Sequence, residues 1–346
     1  MLLCQEGGGI FRHVWLETSG KVSIVPWGFY APTLVNGSIA GANASAAQTA
    51  DSAIFLPRLD LQNADSAATE VTVRFTLTSE STGQVALRHT LPGVTVAPGG
   101  FQRVVPGPIG FGSAAAPVEL WNTAASPPLY TATATVLDAA GSAVLDELAA
   151  TIGVRSAVFD SRAGFLLNGL KVQLKGTANH LGFGGVGMAV PDRIQEFQVA
   201  TLKAMGSNAF RTAHNPVAPE LLDYADRYGM LVWEENRFVT AGVVPMSEPW
   251  EDDEAAASVD SYEDEANPCG IDNYCPGSPS GPTADAVFLQ DAQDMVLRDR
   301  NHPSIVLWSL CNELGCMTND PNGGVIAQQF KQAILQADGS RPVTVK

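Results

Sequence analysis

Hydrophobic and polar residues alternate along residues 51–158 in the way expected of short β-strands. In residues 70–78 every second side chain is apolar, which places those from Val71 to Leu77 on one face. Similar runs follow, separated by turns rich in Gly and Pro: Val85–His89, Val94–Val96, Phe101–Val105, Tyr130–Leu137 and Ile152–Val158. About seven strands in roughly 100 residues predict an immunoglobulin-like β-sandwich over 51–158.

Apolar runs also precede this segment, over Gly9–Leu16 and Val22–Phe29, with Gly and Pro at their edges. We interpret residues 1–35 as the last two strands of a separate β-domain. The stretch Asn36–Ala50 is rich in Ala, Gly, Ser and Asn, a composition that predicts a linker or loose loop.

From about residue 165 the pattern changes to strands that alternate with helices. The predicted strands are Leu170–Gly176, Ser207–Thr212, Met230–Glu234, Ile305–Cys311 and Pro342–Val345. The predicted helices are Pro191–Met205 (apolar face Ile194, Phe197, Leu202 and Met205), Ala218–Tyr228, Ala284–Arg300 (apolar face Phe288, Ala292 and Met295) and Val325–Ala337. Continuous apolar strands without a Gly-rich phosphate loop favour a (β/α)8 TIM barrel over a nucleotide-binding fold.

Residues 165–346 account for only part of such a barrel. They supply four strand–helix units and a fifth strand, whereas a barrel needs eight of each. We therefore expect the first half of a truncated barrel, either as a fragment or with a partner that supplies the rest. We also expect the chain alone to be inactive and poorly soluble, because an open half barrel exposes apolar strands. Residues 239–283 form an acidic, then Pro/Gly-rich insert, which we interpret as a mobile loop or, alternatively, a lid.

Composition restricts the classes of partner. The net charge is -16, and the chain lacks the Lys and Arg clusters that nucleic acid or an anionic membrane would require. No run of 18 apolar residues occurs, so no bilayer span is expected. The first residues lack the basic segment of a secretory signal. Neither the compartment nor the oligomeric state is predicted.

Five cysteines and five histidines limit metal and redox chemistry. With no C-x-x-C motif, neither a metal nor a cofactor is expected. Cys269 and Cys275 share a loop, and whether they are bridged is left open. Cys311 is interpreted as a small core residue and not as a nucleophile.

The chemistry of a TIM barrel lies at the C-terminal ends of its strands. The fourth predicted strand ends in Asn312-Glu313. A carboxylic acid there is expected in a partly desolvated pocket that keeps it protonated, ready to donate to the leaving oxygen of a glycoside. The amide of Asn312 can bond a sugar hydroxyl.

Polar residues at the second and third predicted strand ends are further candidates. Arg211 and His214 are expected to line the pocket, with a structural ion pair between Arg211 and a barrel carboxylate as the alternative. Glu235 is expected to support Arg211 by pairing with it, and Glu234 is its possible equivalent.

Three other positions have a functional and a structural interpretation. His180 follows the first predicted strand and either bonds a sugar hydroxyl or caps a loop. Asn236 either contacts the sugar or stabilises the turn of the following loop. Trp308 is expected to pack in the core and not to form a stacking platform.

Residues 297–313 resemble the acid/base signature of glycoside hydrolase family 2, which includes β-galactosidases, β-glucuronidases and β-mannosidases. Further segments resemble the family in the same order: 8–16, 118–122, 128–130, 175–180, 208–216 and 229–237. The resemblance implies a remnant of a sugar-binding jelly-roll domain over 1–35, the sandwich over 51–158 and the catalytic barrel over 165–346.

The resemblance also implies a role for each matching residue. Glu313 is then the general acid/base, Asn312 contacts the sugar, and the nucleophilic Glu ends a seventh strand that the sequence does not reach. Retention needs carboxyls about 5–5.5 Å apart, so Glu234 and Glu235 are not assigned as nucleophile.

The implied activity is hydrolysis of terminal β-linked sugars, most like a β-galactosidase, with a carbohydrate substrate. The alternatives are β-glucuronidase or β-mannosidase specificity, another barrel glycosidase, or a non-catalytic carbohydrate-binding protein. One departure bears on this choice: the family often has an acidic residue two positions after Asn179-His180, where this sequence has Gly182.

Overall fold

A computed structural model describes residues 10–238, 281–312 and 321–344. The chain divides into two compact units, and the border between them runs through individual strands. Unit 1 comprises Met1–Thr212, Val217–Trp233 and Leu297–Val306; unit 2 comprises Ala213–Pro216, Glu234–Val296 and Leu307–Lys346.

The first eleven strands of the described chain lie in three antiparallel sheets of unit 1. They are β1 (Val22–Tyr30), β2 (Thr33–Ala40), β3 (Thr49–Phe55), β4 (Arg58–Asn63), β5 (Thr69–Ser79), β6 (Val85–Val96), β7 (Phe101–Val104), β8 (Ile109–Phe111), β9 (Val118–Glu119), β10 (Tyr130–Asp138) and β11 (Val144–Ile152). The sheet orders are β1-β4-β7, β11-β10-β5-β6 and β2-β3-β8, with β9 paired to β3.

The core of these sheets is apolar because their strands alternate with a period of two. The face of β5 predicted from the sequence is confirmed, since the apolar side chains from Val71 to Leu77 are completely buried. Phe75 packs within 6.1 Å of Phe29 and 6.3 Å of Phe55, measured between ring centroids. The sheets are consistent with the predicted sandwich, while its immunoglobulin-like topology stays a prediction.

The N-terminal strands differ from the prediction. β1, interpreted as the end of a separate domain, pairs with β4, and Val22, Ile24 and Phe29 lie in the same core as β5. Most of the predicted linker 36–50 is strand or turn, because β2 runs to Ala40 and β3 begins at Thr49. The boundary at residue 35 was wrong for β1, since composition does not show which strands a segment pairs with. A jelly-roll origin for the preceding residues stays a prediction.

Two other strand predictions need correction. Val85–His89 and Val94–Val96 belong to one strand, β6, which crosses the turn-forming Pro92-Gly93. The predicted strand Ile152–Val158 is instead the end of β11 and the start of the next strand, β12 (Ala157–Asp160). β12 pairs with β13 (Gly164–Leu167), which pairs with β14 (Leu170–Lys171).

Strands and helices then alternate as predicted for a TIM barrel. The strands β15 (Gly176–Asn179), β16 (Ala209–Thr212), β17 (Leu231–Phe238), β18 (Ile305–Cys311) and β19 (Val343–Thr344) form one sheet in chain order. The helices are α1 (Asp192–Ala204), α2 (Pro219–Tyr228), α3 (Gly281–Asp299) and α4 (Pro321–Ala337). The described pairings β15–β16, β16–β17 and β18–β19 are parallel.

The first parallel strand lies later in the chain than predicted. Leu170 and Lys171 belong to antiparallel β14, and the parallel strand begins at Gly176. At Gly176 the neighbouring strand approaches so closely that a side chain would collide with the Ala209 carbonyl. Gly176, predicted as the last residue of a strand, is therefore the first residue of β15.

The predicted apolar face of α1 was wrong at Phe197 and Met205, while Ile194 and Leu202 are half-buried. Phe197 and Met205 are 59% and 73% exposed, whereas Gln195 and Val199 are the buried residues. The buried amide of Gln195 donates from Nε2 to the Val190 carbonyl at 3.2 Å, so a polar residue is accommodated inside. Periodicity that counts only apolar residues misses such a position.

The later helices agree better with the prediction. In α3, Ala292 and Met295 are buried as predicted. Within the described parts of the chain, no helix is long and apolar enough to cross a membrane. Residues 239–280, with most of the predicted insert and with Cys269 and Cys275, lie outside the described residues, as does Glu313.

Candidate active site

The structure brings His214 and Glu235 together in unit 2. Glu235 lies in β17 with a completely buried side chain, and its Oε1 lies 3.0 Å from His214 Nδ1. The His214 side chain is 19% exposed. Its ring can therefore reach a ligand while its inner edge stays fixed, and this arrangement is typical of a histidine oriented by a carboxylate.

Sequence reasoning missed the second partner of Glu235. Ser309 donates from Oγ to Glu235 Oε2 at 2.8 Å, and both residues are fully buried. The two Glu235 oxygens are thus held by two different groups, one from β18 and one from the loop after β16. The sequence did contain a sign of this contact, because Ser309 carries a hydroxyl group within the otherwise apolar strand Ile305–Cys311.

The neighbours of Glu235 in β17 are also completely buried polar residues. Glu234 and Asn236 both have no exposed surface. Neither end of the Asn236 amide has a hydrogen-bond partner among the residues that the structure describes. Burying an unpaired amide costs free energy unless another group binds it, so the position of Asn236 suits contact with a ligand.

Arg211 lies in β16, within unit 1. It is 8% exposed, and its guanidinium lies 5.5 Å from the centroid of the Trp233 ring. A cation over the face of an indole is an attractive contact. The predicted pairing of Arg211 with Glu235 stays a prediction.

His180 follows β15 in unit 1 and is exposed. It lines a cavity of about 260 Å³ together with Asn179, Arg12 and His13. At Gly182 a Cβ would meet Met188 Sδ at 3.5 Å, which is an ordinary contact. The backbone therefore does not require glycine where the family often has an acid.

The end of β18 carries the remaining candidates. Asn312 is half-buried just after the strand. Trp308 is fully buried and donates from Nε1 to Asp338 Oδ2 at 2.9 Å, which confirms its packing role. Cys311 is buried as predicted, and it is disulfide-bonded, which was not predicted.

Two groups of side chains in unit 1 have a composition that suits metal binding. They are His13, Asp192 and Glu220, and Asp223, Asp226 and His302. Each contains a histidine–carboxylate contact, His13 Nε2 to Asp192 Oδ1 at 3.1 Å and His302 Nδ1 to Asp226 Oδ2 at 2.6 Å. These ion pairs account for the proximity of the groups, so no metal is assigned to them.

Comparison with known proteins shows the family to which the chain is similar. Residues 158–346, more than half of the chain, match the TIM-barrel domain of glycosyl hydrolases family 2. A β-galactosidase of Bacteroides ovatus is 27% identical over 356 residues, covering 99% of this chain and 34% of the relative. A β-glucuronidase of Bacteroides fragilis is 28% identical over 230 residues, covering 65% of this chain and 28% of the relative.

The solved structures agree. A glycosyl hydrolase family 2 member from Bacteroides cellulosilyticus matches with a TM-score of 0.75 and 26% identity, covering 98% of this chain and 37% of that chain. The chain thus spans about a third of the length of these relatives. Over the segment 158–346 the chain belongs to glycoside hydrolase family 2.

Proposed function

We propose that the chain supplies the acid/base side of a retaining β-glycosidase active site, most like that of a β-galactosidase. The observation that carries the proposal is the buried carboxylate of Glu235, held between Ser309 and His214 at the carboxyl ends of parallel strands. Asn312, next to Glu313 in the sequence, directly follows the strand that holds Ser309. Catalytic groups of TIM barrels come from these strand ends.

In the proposed reaction Glu313 donates a proton to the leaving oxygen. A second carboxylate, which the family resemblance assigns to the end of a seventh barrel strand, attacks the anomeric carbon, and the bond to the leaving group breaks. Glu313, now a carboxylate, then takes a proton from water as the water attacks the anomeric carbon and the bond to the second carboxylate breaks. The configuration at the anomeric carbon is retained.

The described residues have supporting roles in this proposal. Because Nδ1 of His214 faces Glu235, the ring orientation is fixed for contact with a sugar hydroxyl. The buried amide of Asn236 gains hydrogen-bond partners when a sugar binds. Arg211, His180 and Asn312 are proposed as further sugar contacts.

The proposed substrate is a terminal β-galactoside. Support comes from the β-galactosidase relative, whose similarity extends over 99% of the chain. Other relatives are named β-glucuronidases, so a β-glucuronide is the alternative. Comparing kcat/KM on p-nitrophenyl β-galactoside, β-glucuronide and β-mannoside decides between them, and a glucuronide preference would overturn the galactoside proposal.

A non-catalytic carbohydrate-binding protein is the second candidate. It is favoured by Gly182, where room exists for the acidic residue that the family often carries. The two candidates differ in turnover: a binding protein retains sugar without cleaving it, even when the protein that carries this sequence has a complete barrel.

Replacing Glu313 tests the proposed role in that complete protein. For Glu313→Ala we expect kcat/KM on lactose, whose leaving group needs protonation, to fall by about 10²–10⁴-fold. The leaving group of 2,4-dinitrophenyl β-galactoside departs without a proton. For this substrate kcat/KM, which reports the first step, should fall much less. An equal loss on both substrates would contradict the acid/base role.

A further inference from the structure

Strand β1 contains a bulge that holds Trp27 in a left-handed backbone conformation. The pairing of β1 with β4 changes register between Ile24 and Phe29, and φ of Trp27 is 55°. Bulky residues rarely adopt this conformation because Cβ crowds the backbone. The only other non-glycine residue with positive φ in the described chain is Asn168, a residue type that tolerates it.

Neighbouring residues fix this bulge. Arg300, which is 2% exposed, donates from Nη2 to the Trp27 carbonyl at 2.9 Å. At Gly28 a Cβ would lie 2.6 Å from Val25 Cγ2, so glycine is required there. A β-bulge often redirects a side chain toward a functional surface, and strain of this kind persists where surrounding contacts impose it.

The redirected residue lines a cleft in unit 1. The Trp27 side chain is 43% exposed, and the cleft has a volume of about 790 Å³, within the range of ligand-binding pockets. Strands β1 and β11 and helices α2 and α3 contribute to its walls. Its charged and amide lining comprises Glu17, Gln62, Asp146, Glu147, Asp223, Arg298, Asn301 and His302.

Several of these groups are already held in place. Asp146 Oδ2 accepts the backbone N–H of Ile24 at 2.7 Å, and Asn301 Nδ2 donates to the Phe29 carbonyl at 2.9 Å. The polar wall beside Trp27 is therefore rigid before any ligand binds. Preorganised polar groups next to a flat aromatic surface lower the cost of binding.

The charge of the cleft restricts its ligand. Four carboxylates line it, whereas Arg298, its one arginine, pairs with Asp299 at 2.6 Å. Phosphates and other anions are repelled by such a lining, and lipid chains leave its polar groups without partners. A sugar ring fits both features, since it has an apolar face of C–H groups and a rim of hydroxyls.

We propose that this cleft binds a neutral oligosaccharide, with the Trp27 indole packed against a sugar ring and the carboxylates of Asp223 and Glu147 accepting hydroxyl hydrogen bonds. The site uses none of the strand-end residues assigned to catalysis. The proposal therefore holds whether or not the chain hydrolyses glycosides.

Replacing Trp27 by glycine tests the proposal without threatening the fold. Glycine adopts φ of 55° without strain, so Trp27→Gly should leave the melting temperature unchanged or raise it. The probes are galactotetraose, cellotetraose, mannotetraose and xylotetraose, titrated by calorimetry into a protein that carries this sequence with a complete barrel and with Glu313→Ala to prevent hydrolysis. We expect at least one to bind, and Trp27→Gly to weaken that binding by about tenfold or more.

Trp15→Gly is the matched control, because Trp15 is 76% exposed and does not line the cleft. It should bind the same tetrasaccharide with unchanged affinity, and Asp223→Asn should bind it more weakly. The proposal is overturned if none of the four tetrasaccharides binds, or if Trp27→Gly binds as tightly as the unmodified chain. It is also overturned if Asn236→Ala abolishes binding while Trp27→Gly does not, since the sugar then occupies the strand ends.

Discussion

The antiparallel sheets of unit 1 and the strand ends of unit 2 both contain completely buried side chains, but of different chemical types. Phe55 and Phe75 in the sheets of unit 1, and Glu235 and Asn236 in β17, all have no exposed surface. Burying a phenylalanine stabilises the fold, whereas burying a carboxylate or an amide costs free energy unless it is partnered. Burial alone therefore locates a core, and burial of acids and amides locates a candidate site.

The largest effect is expected from breaking the apolar region. Phe75→Ala removes a ring that packs against Phe29 and Phe55, so it should lower the free energy of unfolding by about 3–5 kcal/mol. Urea denaturation measures this change. Phe159→Ala, at a position that is 41% exposed, is the control and should change it much less. Equal losses would mean that Phe75 is not a core residue.

The second prediction concerns the polar region. Glu235→Gln keeps the shape of the side chain but removes the charge that His214 Nδ1 faces. In a protein with a complete barrel, kcat/KM should fall by about 10–100-fold, as for other residues that orient a ligand-binding group. Ser309→Ala removes one of the two contacts and should reduce kcat/KM less.

The matched control is a buried carboxylate in the antiparallel sheets of unit 1. Asp60 is 7% exposed and forms a two-fold contact with Arg103, at 2.7 and 2.9 Å. Asp60→Asn should affect stability and leave kcat/KM unchanged. The comparison between the two regions fails if Asp60→Asn and Glu235→Gln reduce kcat/KM equally.

The smallest effect is a pH dependence of stability in unit 1. Burial alone lowers the pKa of His302, but the charge and hydrogen bond of Asp226, with Asp299 and Asp223 nearby, outweigh it and raise the pKa above 6.5. The contribution to stability is therefore complete below about pH 6.5, the pKa in the unfolded chain, and is lost as the pH rises through the higher folded value.

Substitution of His302 measures that contribution. His302→Gln should destabilise the chain by about 1–2 kcal/mol more at pH 6 than at pH 9. Phe75→Ala, which removes no titratable group, is the control and should show the same change at both pH values. An equal effect of His302→Gln at pH 6 and pH 9 would show that His302 is not charged in the folded chain.

Regular periodicity made much of the fold predictable. The face of β5, the alternation of strands and helices after residue 176 and the burial of Trp308 all follow from side-chain spacing. The proximity of His214 and Glu235 also has a sequence basis, because both follow or end neighbouring parallel strands.

Other features depend on contacts distant in sequence. β1 and β4 pair across a bulge, so no local pattern assigned β1 to this core. Gln195 is buried because the Val190 carbonyl accepts its amide N–H, which apolar periodicity does not register. Ser309 was overlooked because its role depends on the hydrogen bond to the carboxylate of Glu235, which lies in a different strand.

The most direct test of the proposed retaining mechanism is the product that Glu313→Ala forms in the presence of azide. Azide needs no general base, so it should restore turnover of 2,4-dinitrophenyl β-galactoside in a protein with a complete barrel. Two inversions at the anomeric carbon should give the β-galactosyl azide, identified by its proton NMR spectrum. An α-galactosyl azide, or no azide product at all, would contradict a retaining mechanism with Glu313 as acid/base.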